Sequence, residues 1–202
     1  MRPLARRLLS PLVVIAALFA AGESAAESAG QTKEFVSARY KFRFSYPANG
    51  TLEERALPAR GPGGAGFEVR LSVPEEEFLG CVVSVHPQRL ADDGTGKPPN
   101  LAGLLATVNV AAARRDLQPL PNSRVSVTVA KEPAALGGQP ARQIDVLMEN
   151  ARSGTPYSQS RELRTFRSYG RVSVRCYSDP KNVDLEQTHK LLDMIARGFR
   201  FE

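Results

Sequence analysis

Arg171-Val-Ser-Val-Arg-Cys-Tyr177 is the most informative stretch of this sequence. Val172, Val174 and Cys176 fall in one phase, and Arg171, Ser173, Arg175 and Tyr177 in the other. Successive strand residues point to opposite faces, so this period of two describes a strand with one apolar and one polar side. Strands of parallel sheets are covered on both faces and read as unbroken apolar runs, so the alternation points to an antiparallel sheet.

The same period recurs outward along the chain. Tyr40, Phe42, Phe44 and Tyr46 alternate with Lys41, Arg43 and Ser45 before Pro47 closes the run. Phe67–Val73, Cys81–His86, Arg124–Val129 and Gln143–Met148 repeat the pattern. Ser160–Ser168 reads as a further strand with less clearly divided faces. Two segments carry helical spacing instead. Over Asn100–Arg115, Leu101, Leu104, Leu105, Val108 and Ala112 form one stripe behind Asn100 as a candidate N-cap. Near the end Leu185, Leu192, Ile195 and Phe199 align, with Asp179 or Asn182 as candidate caps and Gly198 as the stop. Runs of strands with few helices predict an α+β fold, an antiparallel sheet of about six to eight strands with helices packed on it. Residues 61–66, 92–100, 132–140 and 149–158 read as loops. The glycines of 61–66 lack the Gly-Lys-Ser/Thr ending of a phosphate loop.

The chain begins with Arg2, Arg6 and Arg7, continues through an apolar stretch from Leu8 to Ala21, and then runs into small residues. This is the form of a secretory signal peptide, with cleavage expected after Ala26; the alternative is an uncleaved anchor. The expected organisation is a signal peptide over 1–26, a flexible leader over 27–33 and one α+β domain over 34–202. The expected location is periplasmic or secreted, with no membrane span after cleavage. Removing the leader takes away three arginines and one glutamate, so the formal charge falls from +6 on 202 residues to +4 on 176. That length buries a sizeable core, roughly 70% of the unfolded surface.

With two His and two Cys, little material exists for a transition-metal cluster, and neither a metal nor a cofactor is expected. Cys81 and Cys176 both fall in the apolar phase of a strand. In an oxidising compartment an even count invites a disulfide; the bland alternative is two small buried residues. His86 ends a strand on its polar face and His189 lies in the last helix; no Gly-x-Ser-x-Gly or comparable nucleophile motif accompanies either. No catalytic residue is therefore named, and no enzyme activity is expected. Glu75-Glu76-Glu77 lacks the interleaved Gly and Asn of a calcium loop and reads as a solvated turn.

Arg161, Arg164, Arg167, Arg171 and Arg175 concentrate on two consecutive strands. Arg171 and Arg175, joined by Arg167 and Arg161 if the strands form a hairpin, are a candidate anion-binding patch. The alternative is an ordinary solvated face containing Glu162 and Asp179. No nucleic-acid motif is present, and nucleic acid is not expected as a partner.

The aromatic strand ending Phe44-Ser-Tyr-Pro47, the segment Leu136-Gly-Gly-Gln-Pro-Ala141 before a strand, and the closing helix running into Gly198-Phe-Arg-Phe201 form one layout. This layout resembles the PsbP-like group of small α/β sandwich proteins, which includes photosystem extrinsic subunits and bacterial DcrB-like envelope proteins. The resemblance spans roughly residues 35–201. It implies an antiparallel sheet with helices packed on it, a last helix followed by a short strand, and an accessory or binding role; no functional residue carries over. The functional expectation is an exported, non-enzymatic accessory or binding protein of the bacterial cell envelope with an unknown partner. The alternatives are a binder of an anionic ligand or lipid through the basic strand face and, third, a cryptic hydrolase.

Overall fold

A computed structural model describes residues 31–59, 64–74, 76–117 and 119–202. The expected signal peptide lies outside these residues. In chain order the elements are β1 (Thr32–Ser37), β2 (Phe42–Pro47), β3 (Thr51–Leu57), β4 (Gly66–Ser72), β5 (Leu79–Pro87), α1 (Leu101–Ala106), α2 (Val110–Arg115), β6 (Ser123–Val129), β7 (Ala134–Leu136), β8 (Gln139–Asn150), β9 (Pro156–Arg167), β10 (Gly170–Ser178), α3 (Leu185–Gly198) and β11 (Arg200–Phe201).

The α+β class is what the structure shows. Seven strands run in the order β3-β4-β5-β10-β9-β8-β6, with β7 also paired to β8; every pairing is antiparallel. A second, three-stranded sheet, β1-β2-β11, adds to the single sheet expected. It sits beside α3 on one face of the large sheet, while α1 and α2 cover part of the other.

The first core is aromatic and dry. Phe42, Phe44 and Phe199 are fully buried, and Phe199 stacks on both others at 5.2 and 6.1 Å between ring centres. Ile195 and Leu192 of α3 join Val69, Leu71, Val83, Val85, Val172 and Val174 beneath them. Within this layer Cys81 stands directly opposite Cys176 and is joined to it by a disulfide, so the pairing expected from their shared phase is present. The second core is smaller: Leu105, Val108 and Ala113 cover Ile144, Val146 and Phe166.

Several expectations change. The single helix over 100–115 is two. Asn100 caps the first, accepting from the Gly103 amide at 3.2 Å, but Asn109 is extended and caps the second, accepting from Ala112 at 2.9 Å. Asn competes well for such caps and poorly for helix interiors. The last helix starts later than expected, because Asp184 accepts from the Glu186 amide and Asp179 instead holds the turn before it. This leaves Leu185 exposed at the helix start. The leader is shorter than expected: Thr32 and Lys33 already pair with Pro47 and Tyr46. Strand β3 falls outside the alternating pattern, because its Glu53, Glu54 and Arg55 mark a charged sheet edge rather than an alternating core strand. The loop expected over 132–140 contains β7. Gly137 and Gly138, at φ of 58° and 72°, make the two-residue turn into β8, the geometry such tight hairpins favour.

Candidate functional site

β9 lies inside the sheet and most of its residues are buried in both phases, polar ones included, which explains why its alternation is hard to read. Its phases still separate two groups of arginines. Arg161, Leu163, Thr165 and Arg167 point toward the side of α3; Glu162, Arg164 and Phe166 point the other way, as do Arg171, Ser173, Arg175 and Tyr177 of β10.

Arg161 and Arg167 therefore do not join the candidate patch with Arg171 and Arg175. Arg161 donates to both oxygens of Asp145, at 2.6 and 3.3 Å, and to Nδ1 of His189 at 3.2 Å. Since guanidinium only donates, Nδ1 is the acceptor and the proton sits on Nε2, which is buried without a hydrogen-bond partner among the described residues. Burial, and next the neighbouring Arg161 charge, lower the His189 pKa below its ordinary value. Arg167 lies over the Phe201 ring at 4.8 Å and donates to the Thr95 carbonyl at 3.1 Å. These two arginines fasten α3, β11 and a loop to the sheet.

On the opposite face the register lines up short side chains at the centre. Ser84 of β5 stands opposite Ser173 of β10, their hydroxyls 2.9 Å apart and buried. Glu68 flanks them on β4 and Arg164 on β9. In the adjoining rows Val82 faces Arg175, and His86 faces Arg171. Small residues on the two central strands and long ones around them leave an open depression of about 480 Å³. A neighbouring depression of about 520 Å³ shares His86, Asp116, Arg164 and Arg171 with it.

Its charges form a network. Arg164 is 5% exposed and bridges Glu162 at 2.7 Å and Asp116 at 2.9 Å. Burial works against its charge, but the two carboxylates outweigh burial and raise its pKa. Arg171 reaches the same Asp116 oxygen at 2.8 Å. Its own pKa is lowered, first by burial and then by Arg164, and its Nε is buried with no hydrogen-bond partner among the described residues. Glu68 is taken by Arg70. The side chain of Arg175, opposite Glu162 in the β9–β10 register, makes neither an ion pair nor a hydrogen bond among the described residues. Four guanidinium groups thus meet three carboxylates around the depression.

Asp116, Arg70 and Glu68 are not among the expected site residues, and Arg164 is not among the arginines of the expected patch. The phase of β9 was the available signal for Arg164; nothing local marks Asp116, which follows α2 and reaches the sheet only through the fold. Among the described residues no group of three or more His, Cys, Asp or Glu is placed to hold a metal ion. No helix among them is long and apolar enough to cross a membrane.

Comparison with known proteins adds the following. No protein-family model and no curated protein matches the chain. Among solved structures, the cyanobacterial PsbP protein of Synechocystis is similar at 13% identity and a TM-score of 0.49, over 91% of this chain and 98% of that one. A protein of Bacteroides thetaiotaomicron is similar at the same identity and TM-score, over 85% of this chain and 49% of that one.

Proposed function

We propose that this chain is an exported, non-enzymatic binding module of the cell envelope that receives a small polar ligand in the depression over Ser84 and Ser173. The observation that carries this reading is the uneven cover of the large sheet. One face is sealed by α3 and the small sheet; the other is left open where a buried ion network surrounds a floor of small residues. Concave sites of this size with convergent polar groups are where small ligands bind. The disulfide supports export, since such bonds persist in oxidising compartments.

One observation favours a second reading. His86, Ser84, Ser173 and Asp116 line the same depression, the residue types of a hydrolytic triad. Against it, Asp116 is held by two arginines and the serine hydroxyls bond each other.

The test is an NMR titration of the purified protein with a library of neutral and charged metabolites, beside an assay on p-nitrophenyl acetate. The expected result is amide shifts clustered on β5, β9 and β10, and no ester hydrolysis above that of the Ser84→Ala variant. Shifts confined to other surfaces overturn the binding site; hydrolysis lost in Ser84→Ala establishes the enzyme instead.

A further inference from the structure

We infer that the ligand class of this depression is a hydroxylated oxyanion: a carboxylate or phosphate group carried on a body with several hydroxyls. The inference rests on the binding reading above and names what that site takes.

The charge balance gives the first half. Glu68, Glu162 and Asp116 are each held by an arginine, and they neutralise three of the four guanidinium groups. Arg175 is left over, partly exposed at the wall of the depression. An arginine fork matches the oxygens of a carboxylate or phosphate, and such charge-assisted bonds are the strong ones. Asp116 displays the mode of recognition within the molecule. One of its carboxylate oxygens sits between Arg164 and Arg171 at 2.9 and 2.8 Å, as the oxygen of an incoming anion would sit on Arg175.

The hydroxyls give the second half. Ser84, Ser158, Ser160, Ser173 and Tyr177 all line the depression. Each hydroxyl both donates and accepts, which suits the alternating donors and acceptors of a polyol or sugar. Leu57, Val82, Leu117 and Met148 are the larger apolar lining groups, and they are dispersed among these polar ones. Polar and charged residues outnumber the apolar ones in this lining, which suits a polar body better than an acyl chain.

The chemistry has two sources, a free sugar acid or sugar phosphate and the glycerol phosphate headgroup of an anionic lipid. The experiment titrates the purified protein with glucose 6-phosphate, glucose, inorganic phosphate and phosphatidylglycerol vesicles. It follows amide shifts at Ser84, Ser173 and Arg175 and, for vesicles, co-sedimentation. Glucose 6-phosphate is expected to bind at least about ten-fold more tightly than glucose or phosphate, and Arg175→Gln to weaken it by a similar factor, as for loss of one charge-assisted bond. Arg43→Gln, on the small sheet, is expected to leave binding unchanged. Arg175→Lys is expected to fall between wild type and Arg175→Gln, since it keeps the charge and loses the fork. Vesicle binding that glucose 6-phosphate competes away supports the lipid headgroup as source; soluble binding without vesicle binding supports the free ligand. The inference is overturned if glucose binds as tightly as its phosphate, or if Arg175→Gln changes nothing while its melting temperature matches wild type. Neutral ligands that shift this face while anions do not would remove the oxyanion and leave the binding module standing. No shift on this face from any compound removes both.

Discussion

The two faces of the large sheet both carry arginines and use them for opposite ends. On the side of α3, Arg161 and Arg167 are consumed: one by Asp145 and His189, the other by an aromatic ring and a loop carbonyl. On the open side Arg70, Arg164, Arg171 and Arg175 surround a depression and are only partly neutralised. The difference is set by what lies above each face. Phe42, Phe44 and Phe199 supply a hydrophobic lid on one side, so any charge beneath it is held by a local partner. Among the described residues no such aromatic layer lies over the centre of the other, where Arg164 and Glu162 are buried as an ion pair and Arg175 stays partly exposed.

This contrast can be broken most strongly at the lid. Phe199→Ala removes a fully buried ring at the junction of α3 and the small sheet. Its expected cost is about 3–5 kcal/mol in urea unfolding, and a loss below about 1 kcal/mol would show that the lid does not hold the sheet. On the open face the largest response belongs to Arg164. Arg164→Leu leaves Glu162 buried without its partner, with an expected loss of about 3 kcal/mol. Adding Glu162→Leu is expected to recover most of that loss. A double variant no more stable than the single would show that packing, not charge, sets the cost.

The smallest effect separates the faces by pH. His189 has a lowered pKa in the fold, so the unfolded chain binds its proton at higher pH than the native protein does. Stability is therefore expected to fall as pH drops below about 6.5, the ordinary value of an unfolded histidine. The charged groups facing this ring are Arg161, Asp145 and Asp193. In His189→Gln the slope of unfolding free energy between pH 7 and pH 5 is expected to flatten. An unchanged slope would assign the dependence to carboxylates elsewhere.

Much of this was legible from the chain. The alternating strands, the antiparallel class and the shared phase of Cys81 and Cys176 follow from period two alone. The misses have physical causes. β3 and β1 are edge strands whose charged residues hide the alternation. Asn109 sits inside an otherwise helical stripe, and its competing cap is not visible in a count of apolar spacings. For the site, the basic concentration is visible in the sequence and the phase of β9 divides it: Arg161 and Arg167 lie an even number of residues from Leu163, and Arg164 an odd one. Asp116 is a different case. Its partners Arg164 and Arg171 are 48 and 55 residues away, and only the docking of α2 against the sheet brings them together.

The disulfide has a consequence for the face it does not touch. A slip of one residue between β5 and β10 would exchange their inward and outward side chains and scatter the open face. Cys81 bonded opposite Cys176 forbids that slip, and with it fixes Ser84 against Ser173 and His86 against Arg171. It acts as an indexing pin, a covalent mark on the dry side that keeps the wet side aligned.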